Sequence, residues 1–294
     1  MQQGIAWIGL GRIARHHLDA FAHAPALGEP VAGWDVDADA RARAAPLIAT
    51  ADSLEELLVR EDVDAVVVST PTPTHRDVCR TVIEHGRPRM LLVEKPMATE
   101  WADVRELARA ATSAGIALTC LYHAAYAPEV EWALGHLEDE LEGVVGIEAE
   151  FADPHPSAAV FGDSWLDSGI NALSVIARFV HVERGEVRPV ASAPETFEGI
   201  FTGRSRAGEV PIRIRTSWHA PEPSKTTRLR LRDGGEVVLD HQAIAVRSGR
   251  TAWRSDSPLP RLTQHYLGAF RHALLDRPPD GSDVDLHRLL LESR

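Results

Sequence analysis

Lys95 stands between Glu94 and Pro96, directly after an apolar run, Met90–Val93, that reads as a strand. An amine at the carboxyl end of a strand can take up or hold a proton, because lysine shifts its pKa readily when desolvated and a second cation adds to the shift. A lone lysine in such a place is ordinarily a solvated surface charge, but this one sits between a carboxylate and a proline. A second polar stretch, Ser69-Thr70-Pro71-Thr72-Pro73-Thr74-His75, ends the strand Ala65–Ser69 and continues past it. Both stretches fall at the edge where open α/β sheets bind ligands. Farther on, Asp167 and Asn171 lie four residues apart at a predicted helix start, so one helix face presents a carboxylate and an amide together. Asp167 is equally suited to cap that helix.

These groups need a partner, and the N-terminus names its class. The strand Ile5–Ile8 breaks into Gly9-Leu10-Gly11-Arg12-Ile13-Ala14 and then a helical pattern. Gly9 permits the tight turn, Gly11 lets the backbone approach a pyrophosphate, and Ala14 lets helix and strand pack closely. The amides and dipole of the helix start favour the phosphates. The next strand, Pro30–Trp34, ends in Asp35, where an acidic residue meets the adenosine ribose. A carboxylate there accepts from both ribose hydroxyls and repels a 2′-phosphate, and Asp37 adds negative charge. NAD is therefore favoured, although Arg41 and Arg43 lie just beyond and leave NADP open.

The elements that carry these residues divide into two halves. Strands are expected near Ile5–Ile8, Val31–Trp34, Ala65–Ser69, Met90–Val93 and Ala117–Cys120, with helices near Ile13–Ala22, Ser53–Val59, Arg76–Glu84 and Trp101–Ser113. Continuous apolar strands such as Ala65-Val66-Val67-Val68 fit a parallel sheet buried on both faces. Ser53 and Glu56 resemble a capping box, and Gly86 and Gly115 sit where helices should stop. The second half predicts helices near Pro128–Leu141 and Ile170–Phe179 and a strand at Val144–Phe151, with an irregular stretch Asp153–Asp163 after it. Alternating segments follow at Glu195–Phe201, Val210–Trp218, Thr226–Leu231, Glu236–Leu239 and Ala243–Val246. Asp233-Gly234-Gly235 is a hairpin signal. Helices near Arg261–Leu275 and Leu286–Leu291 close the chain. The fold class is α/β. An N-terminal Rossmann domain, residues 1–121, is a doubly wound parallel sheet. An α+β domain with an open, mostly antiparallel sheet follows at residues 122–294.

Composition narrows the function. The 294 residues are 44% hydrophobic and 25% charged, as in globular enzymes. A formal charge of −12 argues against sequence-independent nucleic-acid binding, and no apolar run approaches a membrane span. The N-terminus enters a strand at once, leaving no room for a signal peptide. Cys79 and Cys120 read as buried hydrophobes in a reducing cytoplasm. Despite 14 histidines there is no HExxH motif or Cys/His cluster, so no metal is expected.

Gly9-Leu10-Gly11, Thr70-Pro71 with His75, and Glu94-Lys95-Pro96 together resemble the Gfo/Idh/MocA oxidoreductases, over essentially the whole chain. The resemblance implies a cis Lys95–Pro96 bond and a cofactor site of Gly9, Gly11, Arg12, Ile13, Asp35, Thr70, Pro71, His75, Glu94 and Lys95. Most members carry Asp-x-Gly-x-His with histidine as general base; here Asp167-Ser168-Gly169-Ile170-Asn171 has asparagine instead. That string, Ser282-Asp283-Val284-Asp285-Leu286 and Tyr122-His123 resemble the L-arabinose and D-galactose 1-dehydrogenase subgroup. The resemblance implies oxidation of an aldopyranose at C1 to the aldonolactone by an NAD(P)-dependent sugar dehydrogenase. Asp167 is then the proton acceptor or its relay, with Asn171 and Lys95 holding the C1 oxygen; Lys95 as base, oriented by Asp167, is the alternative. His123, Glu150 and His155 fall where the subgroup contacts sugar, with His155 as readily solvated. Trp165 either stacks on a sugar face or is core. His16 and His17 read as structural. Another polyol or sugar ring, inositol-like, and a non-catalytic NAD-binding sensor are the rival readings. A homodimer through the C-terminal sheet is plausible. The subgroup continues with more apolar helix beyond Leu289-Leu290-Leu291, so either the protein is naturally short or further residues follow, and a truncated helix there would expose apolar residues.

Overall fold

The computed structural model describes residues 2–154, 162–193, 195–276 and 282–294. Its first sheet is built from the apolar runs. Strands β1 (Gly4–Ile8), β2 (Glu29–Trp34), β3 (Ala65–Val68), β4 (Met90–Glu94) and β5 (Ala117–Leu121) lie in the order β2-β1-β3-β4-β5, all parallel. β1 and β3 are buried at every residue, as expected for strands covered on both faces. Helices α1 (Arg12–His23), α2 (Ala38–Ala44), α3 (Leu54–Leu58), α4 (His75–His85) and α5 (Trp101–Ala114) alternate with them. The strand order reverses between β1 and β3, and at that switch point the crevice outside the strand ends takes ligands.

Local chemistry sets several boundaries. Ser53 Oγ accepts from the Glu56 amide while the Glu56 carboxylate accepts from the Asp52 amide, so the capping box closes one residue early. Gly115 ends α5 in the left-handed region, at φ +69°. α2, absent from the sequence expectation, is capped by Asp37, whose side chain accepts from the Asp39 amide.

The second sheet has eight strands in the order β13-β12-β11-β10-β6-β9-β8-β7. They are β6 (Val144–Ala152), β7 (His181–Pro189), β8 (Thr196–Ser205), β9 (Gly208–Ser217), β10 (Ser224–Leu231), β11 (Glu236–Asp240), β12 (Ala245–Ser248) and β13 (Thr251–Arg254). Every pairing is antiparallel except β6 with β9. The Asp233-Gly234-Gly235 turn joins β10 to β11, with Gly234 at φ +87°. Along β9, Val210, Ile212 and Ile214 are buried while Arg213 and Arg215 are exposed, so the alternation does mark a one-sided sheet. Helices α6 (Pro128–His136), α7 (Glu138–Leu141), α8 (Ile170–Ile176), α9 (Arg261–Arg271) and α10 (Ser282–Glu292) complete the chain.

The chain divides into two compact units, and the division is not a simple cut. Tyr266–His287 belong with the residues up to Leu121, whereas Tyr122–His265 and Arg288–Arg294 form the second unit. In the first unit Asp283 Oδ2 accepts from the Cys120 amide at 2.7 Å and from Thr119 Oγ1 at 3.1 Å, tying α10 to β5. No helix among the described residues is long and apolar enough to cross a membrane.

Candidate active site

The dinucleotide cradle lies where β1 and β3 end. Gly9 has φ +94°, and a Cβ there would meet the backbone of Ser69 and Thr70 at 2.7 Å. The Ser69 hydroxyl donates to the Gly9 carbonyl at 2.8 Å, locking the two loops together. Gly11 is different, because a Cβ there would have nothing within 4 Å. The protein itself does not require that glycine; a group lying over it would. α1 starts at Gly11 with no side-chain cap and no acidic residue in its first turn, leaving its amides for an anion. Arg12 is exposed beside them. Asp35 Oδ2 accepts from the Leu10 amide at 2.7 Å and Oδ1 from the Asp37 amide at 2.9 Å. Each oxygen keeps a lone pair for a ribose hydroxyl. These residues fit a dinucleotide.

The lysine segment is held by three buried histidines. Lys95 follows β4, and the Lys95–Pro96 bond is cis. His17 Nε2 lies 2.9 Å from Glu94 Oε1, and Glu94 Oε2 accepts from the Lys95 amide at 3.2 Å. Burial would raise the Glu94 pKa, but the His17 hydrogen bond and the charges of His17 and Lys95 outweigh it and hold the carboxyl below its ordinary range. His75 contacts the Pro96 carbonyl through Nδ1 at 2.9 Å and the Thr70 carbonyl through Nε2 at 2.8 Å. Burial nonetheless pulls its pKa below the ordinary value. His287 Nε2 accepts from the Met97 amide at 2.7 Å while Nδ1 donates to the Asp283 carbonyl at 2.8 Å. Burial pushes its pKa down to about 4, so the ring is neutral and carries its proton on Nδ1. Residues 94, 96 and 97 are thus pinned around Lys95. One expectation changes here. Both ring nitrogens of His75 face main-chain carbonyls, of which a neutral ring can donate to only one, so the ring packs against the Thr70 loop and the residue 96 turn instead of making the cofactor contact expected of it. His17 keeps the structural part read for it: it is fully buried and its role is to hold Glu94.

In the second unit Asp163, not Asp167, caps the helix start: its Oδ1 accepts from the Trp165 and Leu166 amides, both at 2.9 Å. Asp167 then sits inside a single π turn, Trp165–Gly169, that runs into α8. Such turns recur at functional sites. Asn171 donates to the Asp167 carbonyl at 3.2 Å, and its buried Oδ1 has no hydrogen-bond partner among the described residues.

Two sugar-contact expectations fail. Trp165 is fully buried, donates to the Leu290 carbonyl at 2.9 Å and stacks on Phe201, so it is core and has no open face. Glu150 is exposed and alternates with buried Ala149 and Phe151, which puts it on the opposite face of β6 from the polar residues below. His155 lies outside the described residues. His123 is buried, its ring 5.7 Å from that of His265.

The polar residues missed from sequence form a cluster under the second sheet's covered face. Lys225 pairs with Asp153 at 2.6 Å, and His241 links Glu129 at 2.7 Å to Thr227 at 2.9 Å. Strand parity could have found the first pair, since Asp153 and Lys225 continue the covered registers of Phe151 and Thr227.

The fold and the cradle define a dinucleotide-binding protein of the Rossmann class, extended by an open-sheet unit. Residues 4–122 match the oxidoreductase family GFO_IDH_MocA, described as having an NAD-binding Rossmann fold. That match covers the N-terminal domain and ends at residue 122, where the second unit begins. An inositol 2-dehydrogenase of Gluconacetobacter diazotrophicus is 34% identical over 119 residues, 39% of this chain and 35% of that protein. The chain thus spans about a third of that relative's length. Among solved structures, UDP-N-acetylglucosamine 3-dehydrogenase GnnA of Acidithiobacillus ferrooxidans superposes with a TM-score of 0.80 at 20% identity, covering 100% of this chain and 97% of that one. GenD2 from gentamicin A biosynthesis, solved with NAD, gives 0.76 at 22% identity, covering 99% and 93%.

Proposed function

We propose that the protein is an NAD(P)-dependent dehydrogenase that oxidises an aldopyranose of the D-galactose or L-arabinose type at C1 to the aldonolactone. The observation that carries this reading is Asn171 at the place where most of the family has a histidine base, with Asp167 released from capping beside it. An amide cannot take up a proton near neutral pH. A pyranose C1 hydroxyl is a hemiacetal, more acidic than a secondary alcohol, and a carboxylate suffices as acceptor. Asp167 takes the proton, and Asn171 and Lys95 hold the C1 oxygen. The bound nicotinamide supplies the hydride acceptor. Asp35, fixed by the Leu10 and Asp37 amides, favours NAD. Inositol 2-dehydrogenases recur among the relatives, which supports a polyol ring as the second reading. The exposed face of the second sheet, with its Glu198–Arg213 and Glu148–Arg230 pairs, suits a second copy of the chain.

Absorbance at 340 nm, followed with NAD or NADP and a panel of aldopyranoses, inositols and other polyols, tests the reading. Turnover on D-galactose or L-arabinose is expected; turnover on a polyol alone would select the second reading, and cofactor binding without any turnover would select a sensor. Asp35→Ser is expected to narrow the NAD/NADP preference by raising KM for NAD and lowering it for NADP. A wild type that already prefers NADP would overturn the role given to that carboxylate.

A further inference from the structure

Of the 31 Lys and Arg residues in the chain, Lys95 and Lys225 alone are lysines. Arginine stands at every other position, including exposed ion pairs such as Arg188–Glu186 and Arg206–Glu142, where either cation would serve. The two cations are not equivalent at a crowded site. Guanidinium is a rigid planar fork that never gives up its proton, whereas ammonium is a compact point with three donors in tetrahedral directions. One of the two retained ammonium groups is in the segment pinned by the histidines. The other is Lys225.

Lys225 lies on β10 with its side chain 15% exposed, its Nζ 2.6 Å from Asp153 Oδ2, which is also 15% exposed. A merely structural pair in that setting would be made at least as well by arginine, and buried ion pairs add little to stability. The charges of Asp167 and Arg261 both reach the amine, and burial lowers its pKa. His265, whose ring the Lys225 charge reaches, is 1% exposed, and neither ring nitrogen has a hydrogen-bond partner among the described residues; its Nε2 is 3.7 Å from Glu129 Oε1, too long for a hydrogen bond. Burial, with Arg261 and Lys225, keeps that ring neutral, leaving one donor and one acceptor unused. A buried polar group without a partner calls for an explanation, and a bound molecule that completes its bonding is one.

We propose that Lys225, anchored by Asp153, is a substrate-binding residue that reads adjacent hydroxyl groups of a neutral polyhydroxylated ring, and that His265 supplies its unused donor and acceptor to the same ring. The proposal rests on the sugar or polyol reading above. Asp153 occupies one ammonium hydrogen and two remain for hydroxyl oxygens, while the carboxylate can accept a hydroxyl proton in return. Asp153 and Asp167 offset the cation, so the pair does not select a phosphate or carboxylate.

Lys225→Arg, which keeps the charge, should raise KM for the aldopyranose or polyol turned over by about tenfold, the effect of one charge-assisted hydrogen bond. kcat should stay within about threefold and NAD affinity unchanged. With wild type, one deoxy analogue of that substrate should carry a similar KM penalty, and in Lys225→Met the penalty should vanish. Unchanged KM in both variants, or a penalty that persists in Lys225→Met, would overturn the site. A second measurement needs no turnover. With only two lysines, acetylation of each by acetic anhydride is read cleanly by peptide mass spectrometry. D-galactose, L-arabinose or myo-inositol, with NADH present, should slow acetylation of Lys225 at least about fivefold, and inorganic phosphate should not. Protection without turnover leaves the binding site standing and removes the dehydrogenase reading. Turnover without protection, and with unchanged KM in the variants, removes the site and leaves the reading. Neither protection nor turnover removes both.

Discussion

Lys95→Met should lower kcat by about 10²–10⁴-fold, the range for loss of a positioned proton-handling group, while dinucleotide affinity stays within about threefold. The reason is that the amine alone is removed. Glu94, Pro96 and Met97 keep their contacts to His17, His75 and His287, none of which involves the Lys95 side chain. Lys95→Arg should be nearly as damaging, because guanidinium keeps its proton and its planar fork cannot take the place of a compact ammonium. Asp167→Asn sorts the two assignments. If Asp167 is the acceptor, its loss matches or exceeds that of Lys95→Met, and the acidic limb of the kcat profile disappears. If Lys95 is the base, Asp167→Asn lowers rate more mildly and the limb shifts instead. Rates within about threefold of wild type for Lys95→Met would remove Lys95 from the chemistry under either assignment.

What the sequence showed of this arrangement was its local part. Gly9, Asp35 and Lys95 follow apolar runs that can only be buried strands, so their place at one sheet edge follows from periodicity alone. Capping by Ser53 and the turn at Gly234 are equally local. β7 was missed because Glu183, Arg184, Glu186 and Arg188 dilute its apolar alternation, and only pairing with β8 makes it a strand. The pins on Lys95 are long-range: His17 is 77 residues from Glu94, and His287 is 190 from Met97. No spacing rule reaches across such gaps. Trp165 was ambiguous because an aromatic beside Asp167 looks the same in sequence whether it faces sugar or Phe201. The return of Tyr266–His287 to the first unit is likewise set by packing, through contacts such as Tyr266 on His17 with ring centroids 4.3 Å apart.

Two glycines of the cradle should fail in opposite ways. Gly9→Ala places a side chain in the left-handed region at φ +94° and drives its Cβ to 2.7 Å from the Ser69–Thr70 backbone. Strain of this kind costs about 1–3 kcal/mol, and the contact cannot relax by turning a side chain, so the total should reach about 3–5 kcal/mol. Thermal unfolding should move down by roughly 6–15 °C, at the size-dependent rate of a few degrees per kcal/mol. Gly11→Ala meets nothing within 4 Å, and at φ −72° its backbone is open to any residue. Its stability cost should not exceed about 1 kcal/mol, the preference for glycine over alanine at a helix start. Dinucleotide affinity, measured by NADH fluorescence titration, should nevertheless fall at least about tenfold, because the new methyl occupies the approach to the α1 amides. Gly11→Ala with wild-type affinity would mean that the pyrophosphate does not lie over that turn. Gly9→Ala with wild-type melting would mean that the loops after β1 and β3 part without cost, and the Ser69–Gly9 hydrogen bond would then not be what holds the switch point closed.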